Sequence, residues 1–296
     1  MAASPLSQGD HFFEADSVRF HYRVRGTGPL AIIPSVGWGL PAAYLWNGMG
    51  PLIEDKHTVL YLEPRGTGQS SRPDDATTMN AKVMAEDVEH LRLHLGLEVL
   101  PLLVGHSHAG AIVLRYAERY PKRVARLVLI SAQIMDSPPN DALKNWITKR
   151  LAEPEYSVAA QTLMSLGSAP PQTDEEFAVT LDKLLPWYFS DVDKVDLLKQ
   201  HMAETSDQLS LYAFKTNKND SQEENKLPHI EEGGLVEAKT LIIWGEEDAI
   251  CSLVAANAIA EAIKGSKLKI LPGIGHLAWI EAPDAFKEEF LSFTSS

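Results

Sequence analysis

Leu100-Pro-Leu-Leu-Val-Gly-His-Ser-His-Ala-Gly110 is the stretch from which the rest of the chain is read. Leu100 to Val104 is a short apolar run of the kind that forms a buried strand. From Ala109 to Arg119 the residues Ile112, Val113 and Tyr116 recur at helical spacing until Pro121 ends the pattern. Between the two stands Gly105-His-Ser-His-Ala-Gly110, a small-x-Ser-x-small pattern. A serine there can occupy a strained strand-to-helix turn that presents its hydroxyl, and only small neighbours leave room for such a turn. Ser107 is therefore the candidate nucleophile, with Gly105 and Ala109 as its small flanks and Gly110 letting the helix pack on the sheet.

A serine hydroxyl is a weak nucleophile unless a base takes its proton and a third group orients that base. Two further strand ends supply candidates in the chain order serine, acid, histidine. The run Thr240 to Trp244 leads into Gly245-Glu-Glu-Asp248, and Leu268 to Leu271 leads into Pro272-Gly-Ile-Gly-His276. Asp248 is the candidate acid and His276 the candidate general base, with Glu246 and Glu247 as alternative acids. An acid could also follow the Leu127 to Ile130 strand, but Ser131, Ala132 and Gln133 occupy that edge and the first carboxylate is Asp136.

Working outward, Leu30 to Ile33, Thr58 to Leu62, Leu127 to Ile130 and the runs already named alternate with helical patterns, which predicts a mostly parallel sheet covered on both faces. An antiparallel hairpin over residues 11–24 completes eight strands. Met84, Val88, Leu91 and Leu95 predict a helix capped by Asn80 and stopped at Gly96. From 134 to 235 strand signals cease. Leu143, Trp146, Ile147 and Leu151 form one amphipathic stretch, and Thr173-Asp-Glu-Glu176 is a capping box ahead of Phe177, Leu181 and Leu185. The expected organisation is an α/β core over 1–133 and 236–296 with a helical lid insertion over 134–235. That insertion holds 18 Asp+Glu against 9 Lys+Arg, most of the net charge of -13. Its acidity reads as a solvated outer face, or as a filter on substrate charge. Lys215 to Asn225 is polar enough to be expected as a mobile loop.

These residues resemble the α/β-hydrolase superfamily over nearly the whole chain. Glu63-Pro-Arg-Gly-Thr-Gly-Gln-Ser70 is similar to the D-x-R-G-x-G-x-S loop of the family, and Gly275-His276 is followed by Glu281-Ala-Pro283. Within the superfamily the chain resembles lid-bearing hydrolases of the proline iminopeptidase-like and fungal lactonase-like groups. The resemblance implies an eight-stranded α/β-hydrolase sheet with a helical lid, and the triad Ser107, Asp248, His276. It also implies an oxyanion hole from the backbone N–H groups of His108 and, by the position of Pro34-Ser-Val-Gly-Trp-Gly39, Val36. The chain lacks the H-G-G-P-G and G-G-S-W-G motifs of the iminopeptidases, and its P-x-x-G loop is closer to the lactonase-like relatives. The expected function is hydrolysis of a small or medium hydrophobic carboxylic ester or lactone through an acyl-enzyme. The alternatives are an aminopeptidase or amidase, and a non-hydrolytic use of the fold as a small-molecule receptor, isomerase, lyase or cyclase. Aromatics at Trp187-Tyr-Phe189, Trp38, Tyr44 and Trp46 read as simple core or as the lining of a pocket, and Trp38, His108, Trp187 and Tyr188 are the expected substrate contacts.

Composition narrows the partners. With 296 residues, 45% hydrophobic and 23% charged, the chain can bury a large core, and its acidity has the wrong sign for neutralising phosphates, so no nucleic-acid partner is expected. The single cysteine, Cys251, reads as a small buried hydrophobe. The first ten residues have no signal-peptide pattern, the last four no prenylation or retrieval motif, and no apolar run is long enough to span a membrane. A cytoplasmic protein without a membrane partner is expected, and the sequence leaves its oligomeric state open. His106/His108 and His90/His94 lack a third ligand at metal spacing, and no phosphate-binding glycine loop is present, so neither metal nor cofactor is expected.

Overall fold

The computed structural model describes residues 4–203 and 209–295; residues 1–3, 204–208 and 296, with the outermost residues of both termini read above, lie outside the described residues. Eight strands form one sheet: β1 (Gly9–Ala15), β2 (Val18–Gly26), β3 (Leu30–Pro34), β4 (Thr58–Leu62), β5 (Leu103–His106), β6 (Arg126–Ile130), β7 (Lys239–Gly245) and β8 (Lys267–Leu271). Their order is β1-β2-β4-β3-β5-β6-β7-β8. β1 and β2 pair antiparallel as the expected hairpin, β2 pairs antiparallel with β4, and every pairing from β4 to β8 is parallel.

The β-branched and aliphatic runs form strands because alternate side chains find apolar partners on opposite faces. Ile32, Leu60, Leu103, Leu127, Leu129 and Ile242 join one core layer, while Ile33, Tyr61, Val104, Val128, Ile130 and Ile243 join the other. The first layer is closed by helices α1 (Ala81–His94), α2 (His108–Arg119) and, later in the chain, a helix over Leu253–Ala262; the second is closed by a C-terminal helix over Pro283–Thr294.

Between β6 and β7 the described residues carry helices and no strand: α3 (Ala142–Leu151), α4 (Pro154–Ser165), α5 (Asp174–Leu184), α6 (Val195–Ala203), α7 (Leu211–Thr216) and short helical turns. Asn80 caps α1 as expected, its side chain accepting from Val83 N–H at 2.9 Å. The Thr173 hydroxyl caps α5 through Glu176 N–H, but the return bond of the capping box is displaced by one residue, from Gln172 N–H to Glu176. Among the described residues no helix is long and apolar enough to cross a membrane.

Two expectations need correction. The strand drawn from Leu100 begins at Leu103; Leu100 makes only an isolated bridge to Val124, because Pro101 has no N–H to extend a ladder. Lys215 to Asn225 is not an open loop. It folds as the end of α7 and two 3-10 turns, and its centre is buried because Asn219 and Asp220 answer backbone groups of the core: Asn219 donates to Ala76 C=O, and Asp220 accepts from Ala81 N–H.

Candidate active site

Parallel strands leave their carboxyl ends on one rim, and the crevice outside that rim is where α/β sheets bind ligands. Val36 follows β3, Ser107 follows β5, Asp248 lies three residues past β7, and His276 follows β8. Ser107 has φ 54° and ψ -126°, a strained conformation for a residue with a side chain. The turn is held by Ser107 N–H to Ile130 C=O and by its own carbonyl, which accepts from Gly110 and Gln133. Its neighbours must be small. A Cβ at Gly105 would lie 2.6 Å from the Ala109 oxygen, and one at Gly110 would collide with Ala132.

His276 Nδ1 meets Asp248 Oδ2 at 2.8 Å, and neither side chain has measurable exposure. The other carboxylate oxygen accepts from Ile250 and Cys251 N–H, each at 2.9 Å, so Asp248 is fixed by the turn that carries it. With its Nδ1 proton given to the carboxylate, the imidazole keeps its lone pair on Nε2, which is buried and has no hydrogen-bond partner among the described residues. The bond from Ser107 Oγ to that nitrogen is not closed here. Catalytic hydrogen bonds are often long without substrate. Backbone contacts hold the base in place: His276 N–H donates to the Tyr188 carbonyl, and Glu281 accepts from Gly275, Ser190 and Asp191 N–H.

Ser107 and His276 face one apolar cavity of about 370 Å³, its opening to solvent included, lined also by Val36, Trp38, Tyr44, His106 and Tyr188. A second cavity, about 690 Å³ on the same measure, shares Trp38, Ser107, Leu181 and Tyr188 with the first and adds Gln133, Trp187 and Asn217. Among the described residues, neither lining contains a Lys, Arg, Asp or Glu. His106 Nε2 reaches the His276 carbonyl at 3.2 Å, leaving Nδ1 to face the Tyr44 hydroxyl at 3.3 Å. Burial, and then the neighbouring His276, hold His106 well below the ordinary imidazole range, so it is neutral. Burial pushes the Tyr44 and Tyr188 hydroxyls far above the usual phenol range.

Of the sequence-predicted contacts, Trp38 and Tyr188 line both cavities, and Trp187 lines the second with its indole N–H donated to Ala249 C=O. Tyr44 joins the first. Trp46 lies elsewhere, under the Arg23 guanidinium and against Tyr61. The His108 imidazole is not among the groups lining either cavity; it is held between Gly37 N–H and Asp220. His94 stacks on Phe13, and His90 faces Asp16 and Asp87. The Glu63 to Ser70 loop stands apart as a buried hub. Glu63 accepts from Gln69 N–H and meets His21, and Arg65 binds Asp87 through two nitrogens. Asp220 is the residue the sequence reading missed. Its only signal was a carboxylate inside a polar run, and such a run reads as solvent-facing.

The family model described as alpha/beta hydrolase fold matches residues 37–283. Among curated proteins the chain is similar to a 2-hydroxy-6-oxononadienedioate/2-hydroxy-6-oxononatrienedioate hydrolase of Escherichia coli (strain K12 / DH10B), 25% identical, with 94% of this chain and 91% of that protein covered. Among solved structures it resembles an esterase from Exiguobacterium antarcticum, with TM-score 0.69, 19% identity and 98% and 100% of the two chains covered. It also resembles the enol-lactonase from Burkholderia xenovorans LB400, with TM-score 0.69, 18% identity and 97% and 100% covered.

Proposed function

Because the chain belongs to the α/β-hydrolase fold family, we propose that it is a serine hydrolase that cleaves a small or medium, uncharged and hydrophobic carboxylic ester or lactone. One observation carries this reading: an imidazole locked to a buried carboxylate keeps its free nitrogen in the same apolar cavity as a serine on a strained turn. In the proposed reaction Ser107 Oγ attacks the substrate carbonyl carbon while His276 Nε2 takes the hydroxyl proton. Asp248 stabilises the imidazolium, and the Val36 and His108 N–H groups receive the negative oxygen. The tetrahedral intermediate collapses, the departing alkoxide takes the proton from His276, and the acyl group stays on Ser107. Water, deprotonated by the same nitrogen, then releases the acid. The helices between β6 and β7 act as the lid, contributing Leu181 and Tyr188 to both cavities and Trp187 to the second.

The lining chemistry supports the substrate class. The Escherichia coli relative is named for a dienedioate, a doubly carboxylated molecule. A carboxylate buried among Leu, Trp and Tyr without a cationic partner would cost several kcal/mol, so that substrate is not carried over. An aminopeptidase would need a carboxylate to hold the ammonium, and the described residues of the lining offer none. The test is a panel of neutral aryl esters, lactones, amino-acid anilides and dicarboxylated oxo-dienoates. Turnover of the first two classes is expected, falling by about 10⁴-fold or more in Ser107→Ala together with loss of fluorophosphonate labelling. Turnover confined to the anilides or oxo-dienoates, or unchanged ester hydrolysis in Ser107→Ala, would overturn the reading.

A further inference from the structure

Two buried histidine–carboxylate pairs flank Ser107, and the mechanism above uses only one. The other is His108 with Asp220. Asp220 comes from the helical turn Asn217–Ser221, between β6 and β7, and His108 immediately follows Ser107. Both are nearly inaccessible, 1% and 7% exposed. Asp220 Oδ1 accepts from Ala81 N–H, in the first turn of α1, at 2.7 Å, and Oδ2 lies 2.8 Å from His108 Nε2. His108 Nδ1 accepts from Gly37 N–H at 3.2 Å. A ring nitrogen that accepts carries no proton, so Nε2 is the protonated one and donates to Asp220. The chain of bonds therefore runs one way, from Gly37 N–H through the imidazole to a carboxylate whose second oxygen is already committed.

Gly37 is pressed against this ring: a Cβ there would lie 3.1 Å from His108 Cε1 and collide with Met84. Its N–H belongs to the peptide unit joining Val36 to Gly37, so the imidazole fixes how that unit is turned; the Val36 N–H lies in the preceding unit, joined to it at the Val36 Cα, and is directed at the Tyr44 hydroxyl in the cavity that Ser107 lines. Simple packing does not call for such a pair, since apolar groups of the same shape would fill the site without the cost of taking polar groups out of water.

We propose that His108 and Asp220 are positioning residues: they clamp the Val36–Gly37 peptide so that the Val36 N–H is aimed at the oxygen of a carbonyl held at Ser107. Asp220 makes that alignment depend on the helical segment between β6 and β7. The proposal rests on the reading of Ser107 as nucleophile. Asparagine cannot replace Asp220, because Ala81 N–H and His108 Nε2–H both need an acceptor and the amide offers one. Turned to satisfy Ala81, it sets an NH2 against His108 Nε2–H; the imidazole must then move its proton to Nδ1 and oppose Gly37 N–H.

The test measures kcat and KM on a neutral aryl ester, affinity for a boronic acid that forms a tetrahedral adduct on a serine, the extent of fluorophosphonate labelling, and Tm. In Asp220→Asn and His108→Phe, kcat is expected to fall about 10- to 100-fold, less than the loss of a whole oxyanion donor. KM should change less than twofold, and boronic acid affinity should weaken in parallel with kcat. His108→Gln, which offers an acceptor and a donor about as far apart as the two ring nitrogens, recovers most of what His108→Phe loses. Labelling that still reaches completion in every variant keeps Ser107 as nucleophile, so failure of this proposal is separable from failure of the assignment above. Unchanged kcat in Asp220→Asn, a loss that follows Tm or KM alone, or His108→Gln as slow as His108→Phe would overturn it. If Asp220→Asn does not fold, the two His108 variants decide.

Discussion

At the scale of single residues the site is built on close approaches that tolerate no added atoms. Gly245 ends β7 directly against the loop that delivers His276: a Cβ there would collide with the carbonyl oxygens of Gly275 and Ile274. Backbone cannot give way as the end of a flexible side chain can. Gly245→Ala is therefore expected to cost about 2–3 kcal/mol, as overpacking does. It should also move the His276 loop off Asp248, so hydrolysis falls further than the folded fraction does. Urea unfolding alongside ester turnover checks this, and wild-type stability in Gly245→Ala would contradict the packing described.

Elements meet the site through polar ties as much as through apolar faces. Arg150, on α3, is buried. Its guanidinium donates to the carbonyls of Trp187 and Phe189, and it packs against the rings of Trp146, Tyr156 and Trp187. The segment it holds carries Tyr188, whose own carbonyl takes the His276 N–H. Arg150→Met keeps the stem but leaves two carbonyls without their donor, which is worth about 2–4 kcal/mol. The expected result is a Tm lower by several degrees with a raised KM, read by thermal unfolding and ester kinetics. The strands, the Asn80 cap, the nucleophile turn and the meeting of Asp248 with His276 were legible in the sequence, because each follows from local pattern or chain order. The Asp220 contact was not. It joins residues 112 positions apart in the sequence, and no period or turn signal marks a carboxylate whose partners are backbone N–H groups and one imidazole. Which of the clustered aromatics are core, as Trp46 is, and which line the cavity was open for the same kind of reason, since aromatic clustering along the chain does not say which face a ring turns to.

For the whole molecule, His21, His57, His94 and His106 make stability vary with pH around 6.5. Burial holds His57, His94 and His106 below the ordinary value of 6.5. Below that pH the unfolded chain takes up protons that the fold refuses, so their contribution is complete above about pH 6.5 and is lost as pH falls beneath it. His21 has the opposite sign: burial works against its charge, but Glu63 and Asp10 outweigh burial and raise it. Its contribution is present below 6.5 and lost as pH rises through its folded value. Urea midpoints at pH 5.5 and 7.5 should therefore converge in His106→Asn and move further apart in His21→Gln. A His106→Asn variant with the wild-type pH slope would show that the ring is not kept neutral.

The turn that fixes Asp248 also encloses the chain's single thiol. Cys251 gives its N–H to the carboxylate, and burial, with Asp248 beside it, pushes the thiol well above its usual range. Native protein should thus resist a disulfide-exchange reagent, while denatured protein should consume one equivalent. Slow modification without denaturant would then act as a clock, recording how often the acid's support comes undone during an otherwise intact life in solution.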